Sequence, residues 1–253
     1  PARRPELPDE RDGSHYYAAG ETDASVVQVG NQHEKFLFYR GLASFPVPLS
    51  VRSHDDGTFE IRNTGQLFDL QKTGGPEIGG LILFENYGGR VAYRVVGRVR
   101  ESARVFRPTT GDLASLRKEL EALLVENGLY PREAAAMVET WRDSWFTEGT
   151  RLFYLLPQAA MESILPLEIT PKPAQVARVF VGRIEVITPT TENAVIAAIR
   201  RNDDRLLAGH SRFLEPIIQR ILATRPADLD QASAQLALRS ITAWHASAER
   251  SCR

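Results

Sequence analysis

The chain has 253 residues, of which 43% are hydrophobic and 25% are charged. Such a composition is typical of a globular protein and excludes a largely disordered chain or a fibrous repeat. The 31 basic and 32 acidic residues almost cancel, and the formal net charge is -1. A net charge so close to zero gives no support for a nucleic-acid partner or for binding to an anionic membrane surface.

The first residues have the pattern of an extension that precedes a domain. The segment from Pro1 to Gly13 is polar and rich in Pro, Arg and Glu, so we interpret residues 1–23 as a linker-like extension. No charged-then-apolar leader follows Pro1, so we expect either a mature form whose leader has been removed or, as we favour, a piece of a longer gene product. No run approaches the ~18 apolar residues of a membrane span, so no transmembrane segment is predicted. The single cysteine, Cys252, cannot form an internal disulfide and does not indicate a redox compartment.

Residues 24–108 carry the pattern of short β-strands. Two alternating apolar runs flank the segment 55–57, and this is a strong hairpin signal because Gly57 adopts a positive φ at little cost. A second hairpin is predicted over residues 81–99, with its turn at 86–89. Further strands are predicted at 26–29, 35–40 and 66–71. The close spacing of these strands favours an antiparallel, β-sandwich-like arrangement.

After residue 108 the spacing of the apolar residues becomes helical. Asp112 is the predicted N-cap of a leucine-rich helix that Asn127-Gly128 ends, and Pro131 opens a second helix that Gly149 ends. Three more helices are predicted, from Pro189, from about Phe213 and from about Asp228. Shorter predicted elements are strands at 151–156, 167–170 and 177–187, the last with a β-bulge at Gly182, and a helix at 159–165.

These elements predict an α+β fold, in which an antiparallel β-sandwich-like part precedes a helix-rich part with two or three further strands. The predicted divisions are a linker-like extension at 1–23, a β-sandwich-like domain at 24–108, and a mixed, mainly helical domain at 109–253. The pattern leaves open whether the later strands complete the sheet of the first domain.

The densest group of charged and aromatic residues lies at 139–151. As a functional site, this stretch would form a cleft with Trp145 as a wall and Glu148 as a general base or ligand anchor, while Arg142 and Arg151 would be further binding residues. As a structural element, it would bury Trp145 on the apolar face of the second helix, and its charged residues would be solvated or paired with one another. Both interpretations are open at the level of sequence.

Three common kinds of catalytic or cofactor motif are not recognisable. The five histidines are far apart and there is one cysteine, so neither a metal site nor a cofactor is predicted. Gly209-His210-Ser211 begins like a nucleophile elbow, but Phe213 replaces the second glycine and a helix precedes it, so Ser211 is interpreted as an N-cap. The glycines at 74–75 and 79–80 lack the Lys-Ser/Thr of a phosphate-binding loop.

Three stretches carry a further signal: His15 to Ala19 with Glu21-Thr22-Asp23, Glu34 to Gly41, and Thr140 to Phe146 with Glu148-Gly149. Together they resemble a family of exported bacterial proteins with no assigned activity. The resemblance implies a periplasmic or extracellular location, and a longer precursor with a leader and a domain before Pro1. It implies no catalytic residue.

Two functional hypotheses follow. The first is a non-catalytic exported or envelope protein with a binding role, whose partner is an unknown protein or a cell-envelope component. The second is a hydrolase of a polysaccharide or cell-wall substrate that uses carboxylates near Glu148, since glycosidic chemistry needs only two carboxyl groups at a set separation. If Glu148 or Asp143 lines a deep pocket with a second carboxylate within about 5–10 Å, the hydrolase is favoured. If Trp141, Trp145 and Glu148 are instead all buried in packing or paired with arginine, the hydrolase hypothesis fails.

Overall fold

The computed structural model describes residues 15–38, 41, 44–65, 77–210 and 213–251. Within these ranges the chain is mixed α+β, with antiparallel sheets built largely from the first part and a later part rich in helices. The predicted fold class is confirmed. The strand predicted at 66–71 and the end of the strand predicted at 35–40 lie outside the described residues.

Nine strands form three antiparallel sheets within the described ranges. They are β1 (Val27–Val29), β2 (Gln32–Glu34), β3 (Leu49–Ser53), β4 (Thr58–Asn63), β5 (Ile78–Tyr87), β6 (Arg90–Val99), β7 (Ser102–Phe106), β8 (Gly149–Leu155) and β9 (Val181–Val186). The sheets have the strand orders β1-β2, β3-β4-β7 and β6-β5-β8-β9. Because β8 pairs directly with β5, the largest sheet extends across the boundary predicted near residue 108.

A short 3-10 helix at His15–Gly20 and eight α-helices complete the described elements. The α-helices are α1 (Leu113–Glu126), α2 (Pro131–Thr140), α3 (Arg142–Trp145), α4 (Gln158–Ile164), α5 (Pro189–Arg201), α6 (Asp204–Gly209), α7 (Leu214–Thr224) and α8 (Gln231–Ser251). Asp112 caps α1 as predicted, because its side chain accepts a hydrogen bond from the backbone N–H of Ser115. Thr188 caps α5 in the same way.

The four-stranded sheet is covered on both faces because its central strands are apolar on both sides. On β5, Leu81 and Leu83 share a core with Ile61 of the three-stranded sheet. The alternate residues Ile82 and Phe84 share a core with α1 and α2. Every residue of β8 is buried as well. Polar groups near the ends of β5 and β8 therefore lie in a low-dielectric environment, in which they need partners.

Helices α5 to α8 form a third core around residues such as Val195, Ile218 and Ile241. Ile187, directly after β9, packs against this core. The helical part of the chain therefore begins where the last strand of the sheet ends, and it lies beside the same strand ends.

Several local predictions were wrong. The helix that Pro131 opens ends at Thr140, and Gly149, predicted as its end, is instead the first residue of β8. The strand predicted at 177–187 begins only at Val181, and β7 was not predicted. Residues 35–38 are not a strand. The strand that pairs with β1 is β2, which follows a turn at Gly30 and ends at Glu34. Residues 167–170 are not a strand either, and their side chains are exposed. No bulge interrupts β9 at Gly182, since β8 and β9 pair in continuous register.

Part of the extension predicted as linker-like is ordered against the helices. The ring of Tyr16, in the 3-10 helix, lies edge-on to Trp141 at 6.1 Å between centroids. Phe38 contacts both of these rings, at 4.6 Å from Tyr16 and 6.4 Å from Trp141. Aromatic contacts of this kind tie residues 15–38 to the end of α2.

Candidate functional site

Arg151, one of the predicted binding residues, lies on β8 with its guanidinium inside the protein. Its relative exposure is 0%, and its cross-strand neighbours are Phe84 on β5 and Glu185 on β9. The guanidinium carbon lies 5.4 Å from the centre of the Phe84 ring, and Nε lies 2.9 Å from Oε1 of Glu185. Burial lowers the pKa of Arg151, while the neighbouring carboxylate of Glu185 opposes this shift.

The other nitrogens of Arg151 hold the segment between α3 and β8. Nη1 donates to the carbonyl oxygens of Trp145 and Thr147, each at 2.7 Å, and Nη2 donates to the carbonyl oxygen of Glu148 at 2.6 Å. These three carbonyls belong to the last residue of α3 and to the residues just after it, where backbone acceptors have no helical partner. Arg151 therefore joins Trp145 and Glu148 through their backbone, and its role in this geometry is to position residues 145–148.

Trp145 and Arg142 lie in different surroundings. The Trp145 ring is buried and packs against Phe146 and Phe153. Arg142 is exposed and forms ion pairs with Glu139 and with Asp143, the latter at 3.4 Å. The structure thus places Trp145 in the core and Arg142 in a surface ion-pair network, and these side-chain contacts of Arg142 reach none of the other three predicted residues.

Glu148 faces the turn between β5 and β6. Each of its carboxylate oxygens accepts a hydrogen bond from the backbone N–H of Gly88 at 3.0 Å. On its other side, a Cβ at Gly209 would lie 3.1 Å from Cγ of Glu148. The next residue, His210, is buried, and burial together with the charge of Arg151 lowers the pKa of His210 to about 4. The imidazole is therefore neutral at neutral pH.

A second polar cluster, centred on Glu85, points to the opposite face of the same sheet. Glu85 is 4% exposed; its Oε2 accepts from Nε of Arg107 at 2.7 Å, and its Oε1 accepts from the hydroxyl of Thr150 at 2.9 Å. The Tyr87 hydroxyl lies within hydrogen-bond distance of three threonine hydroxyls, those of Thr150 at 2.7 Å, Thr191 at 2.9 Å and Thr188 at 3.0 Å. This network ties β5 and β8 to the start of α5.

A cavity of about 440 Å³ opens beside this cluster. Its polar lining groups are Glu85, Tyr87, Arg90, Arg107 and Thr190. Nη1 of Arg107 donates to the hydroxyl of Thr190 at 3.1 Å. We call this cavity the arginine cavity.

A groove of about 510 Å³ runs along β9, and we call it the aromatic groove. Its aromatic lining residues are Phe45, Trp141, Trp145, Tyr154 and Phe180. Trp145 is thus the one predicted site residue that lines it. The groove also contains Arg183, whose Nη1 donates to the backbone carbonyl of Ser144. A volume of this size, with aromatic walls and a few polar groups, is typical of a ligand site.

Tyr154 is the most deeply placed ring of the aromatic groove. It lies opposite Gly182 on β9, where a Cβ would overlap the tyrosine ring. The residue is 4% exposed, and burial raises the pKa of its hydroxyl to about 12. This hydroxyl makes no hydrogen bond with any described residue. The hydroxyl oxygen is not one of the fully buried polar atoms that lack a partner, so it is still accessible to solvent.

Sequence reasoning missed Glu85, Arg107 and Tyr154. A signal existed for Glu85, because it directly follows the uniformly apolar run at 81–84 and so belongs to a strand buried on both faces. Arg107 and Tyr154 carry no comparable signal. Their partners, or the absence of one, depend on residues that are distant in the chain.

Among the described residues, no group of three or more His, Cys, Asp or Glu side chains is arranged to hold a metal ion. No helix in the described ranges is long and apolar enough to cross a membrane. No protein-family model matches the chain, and comparisons with curated proteins and with solved structures found no match.

Proposed function

We propose that this protein is a non-catalytic exported or envelope protein that binds a ligand in the aromatic groove. The observation that carries the proposal is the hydroxyl of Tyr154, which has no hydrogen-bond partner among the described residues, remains accessible, and belongs to a side chain in the wall of the groove. A ligand in the groove could therefore bond this hydroxyl in place of water. The exported location rests on the sequence resemblance alone.

The chemistry of the groove favours a neutral ligand with both apolar faces and hydroxyl groups. Its one charged lining residue, Arg183, already donates to Ser144 and lies over the ring of Phe213, 5.0 Å from its centre. The rings of Phe45, Trp141 and Phe180 are partly exposed. Partly exposed rings offer flat apolar faces to the C–H face of a sugar, while the tyrosine hydroxyl bonds a sugar oxygen. We therefore assign the groove to a glycan strand of the cell envelope.

The contacts of the carboxylates favour binding over the alternative of a carboxylate-dependent hydrolase. Both oxygens of Glu148 face the Gly88 amide, and the two oxygens of Glu85 accept bonds from Arg107 and Thr150. A general acid must carry a proton and a nucleophile must reach the sugar. Neither Glu85 nor Glu148 lines the aromatic groove, and each is held by a hydrogen bond within the chain, so neither is placed to act on a glycan bound there.

Fluorescence titration of the full chain tests the proposal, because two of its three tryptophans line the groove. The ligands are soluble oligosaccharides of N-acetylglucosamine and glycan strands released from cell walls. We expect saturable binding that Tyr154→Phe weakens about tenfold, since this variant removes one buried hydrogen bond and little volume. Tyr130→Phe is the matched control, because Tyr130 is 73% exposed and lies outside the groove, and we expect it to bind like the wild type.

Two results would overturn the proposal. If the glycans do not bind, or if Tyr154→Phe and Tyr130→Phe bind them equally well, the groove is not a glycan site. Binding of an apolar peptide or a detergent in place of glycans would also reject the assignment. Release of reducing sugar ends from the same strands, if abolished in Glu85→Gln or Glu148→Gln, would instead favour the hydrolase.

A further inference from the structure

The arginine cavity is independent of the aromatic groove and has a different chemistry. It opens between the β5–β6 hairpin, the residue after β7 and the first turn of α5, and it shares no lining residue with the groove. Its charged lining groups are two guanidinium groups, of Arg90 and Arg107, and one carboxylate, of Glu85.

Arg107 is held in place before any ligand arrives. Its Nε donates to Glu85 at 2.7 Å, its Nη1 donates to Thr190 at 3.1 Å, and its guanidinium lies over the ring of Tyr87, 5.6 Å from the centre. The hydrogen bond to Glu85 raises the pKa of Arg107, so the group stays charged. Its Nη2 donates neither of these two hydrogen bonds. A fixed donor of this kind loses little conformational entropy on binding.

The carboxylate in the wall does not cancel the positive charge of the cavity. Glu85 is almost fully buried and both of its oxygens are engaged. Arg90, opposite Tyr87 in the strand register, is exposed and forms no ion pair within the described residues. Glu148 approaches the same turn from outside the cavity, through its contact with Gly88. The lining therefore presents two guanidinium groups against one engaged carboxylate.

We propose that the arginine cavity binds an oxyanion group, a phosphate or a carboxylate, of a small ligand. Nη2 of Arg107 and the guanidinium of Arg90 donate to the anion, and the Thr190 hydroxyl supplies a further polar contact. Guanidinium groups suit both anions because their planar donors match two oxygens at once. The site is a second binding site, and it does not depend on the function proposed for the aromatic groove.

Calorimetric titration of the full chain at low ionic strength tests this site, with inorganic phosphate in one arm and succinate in the other. We expect at least one of the two anions to bind, and Arg90→Ala to weaken that binding about tenfold. Arg98→Ala is the matched control. Arg98 is exposed on the same strand and carries the same charge, but lies outside the cavity, so binding should change less than about twofold, as expected for a screened surface charge.

Two further variants test separately the contribution of the Thr190 hydroxyl and the effect of the negative charge of Glu148. Thr190→Val removes one hydroxyl without changing the charge, and we expect it to weaken binding. Glu148→Gln removes the negative charge beside Gly88, and we expect it to strengthen binding. The arm that responds identifies the anion as phosphate or carboxylate. If neither anion binds, or if Arg90→Ala and Arg98→Ala weaken binding equally, the cavity is not an oxyanion site.

Discussion

Replacement of Arg151 by leucine tests whether this residue is a structural clamp. The substitution removes the donors of three backbone carbonyls and leaves Glu185 without its cross-strand partner on β8. Breaking a buried ion pair by removing one partner costs about 3–5 kcal/mol, and each buried acceptor without a donor costs about 1–3 kcal/mol. These costs overlap, and the variant no longer has to bury a charge. We therefore expect a loss of about 4 kcal/mol in the free energy of unfolding.

Urea unfolding of wild type and variants, followed by tryptophan fluorescence and circular dichroism, measures this loss. Arg142→Leu is the matched control, since Arg142 is exposed and its ion pairs contribute at most about 1 kcal/mol. Arg151→Lys keeps the charge but reaches fewer carbonyls, so we expect an intermediate loss, which is measurable even if Arg151→Leu does not fold. If the free energy of unfolding of Arg151→Leu falls by less than about 1 kcal/mol, Arg151 is not a structural clamp. It would then remain a candidate for ligand binding.

Two further predictions concern the surroundings of the same strands. Since the pKa of His210 is lowered from 6.5 to about 4, the unfolded chain takes up the proton first. The stability that comes from keeping His210 neutral is therefore present above pH 6.5 and is lost as the pH falls toward 4. Between pH 7 and pH 5 we expect the free energy of unfolding to decrease by about 2 kcal/mol. His210→Leu should flatten this dependence in urea unfolding, and an unchanged slope would contradict the assignment. Gly182→Ala places a methyl group in the space of the Tyr154 ring, so we expect a loss of about 3 kcal/mol. The double variant Gly182→Ala with Tyr154→Leu should recover part of this loss, and no recovery would argue against the clash.

The local elements of this protein follow from short stretches of its sequence. The Asp-Gly turn predicts the β3–β4 hairpin, and the glycine adopts the required positive φ of 77°. Asp112 and Pro131 likewise begin the helices that they predict. These signals act over a few residues, so they do not depend on the rest of the fold. The same local reasoning failed for residues 35–38, where the aromatic contacts of Phe38 with Tyr16 and Trp141 replace strand pairing.

The candidate sites depend on contacts that no short stretch contains. The sequence places Trp145, Glu148 and Arg151 close together along the chain, but only the pairing of β8 with β5 and β9 turns Arg151 into the core. Glu85 and Arg107 are 22 residues apart and meet beside α5.

Composition and periodicity by themselves determined the fold class and the starts of several helices and hairpins, because these depend on local propensity and on the spacing of apolar residues. Which charges are buried, which hydroxyl lacks a partner and where the cavities open were decided only by tertiary structure. Burial and hydrogen bonding depend on the packing of distant strands and helices against one another.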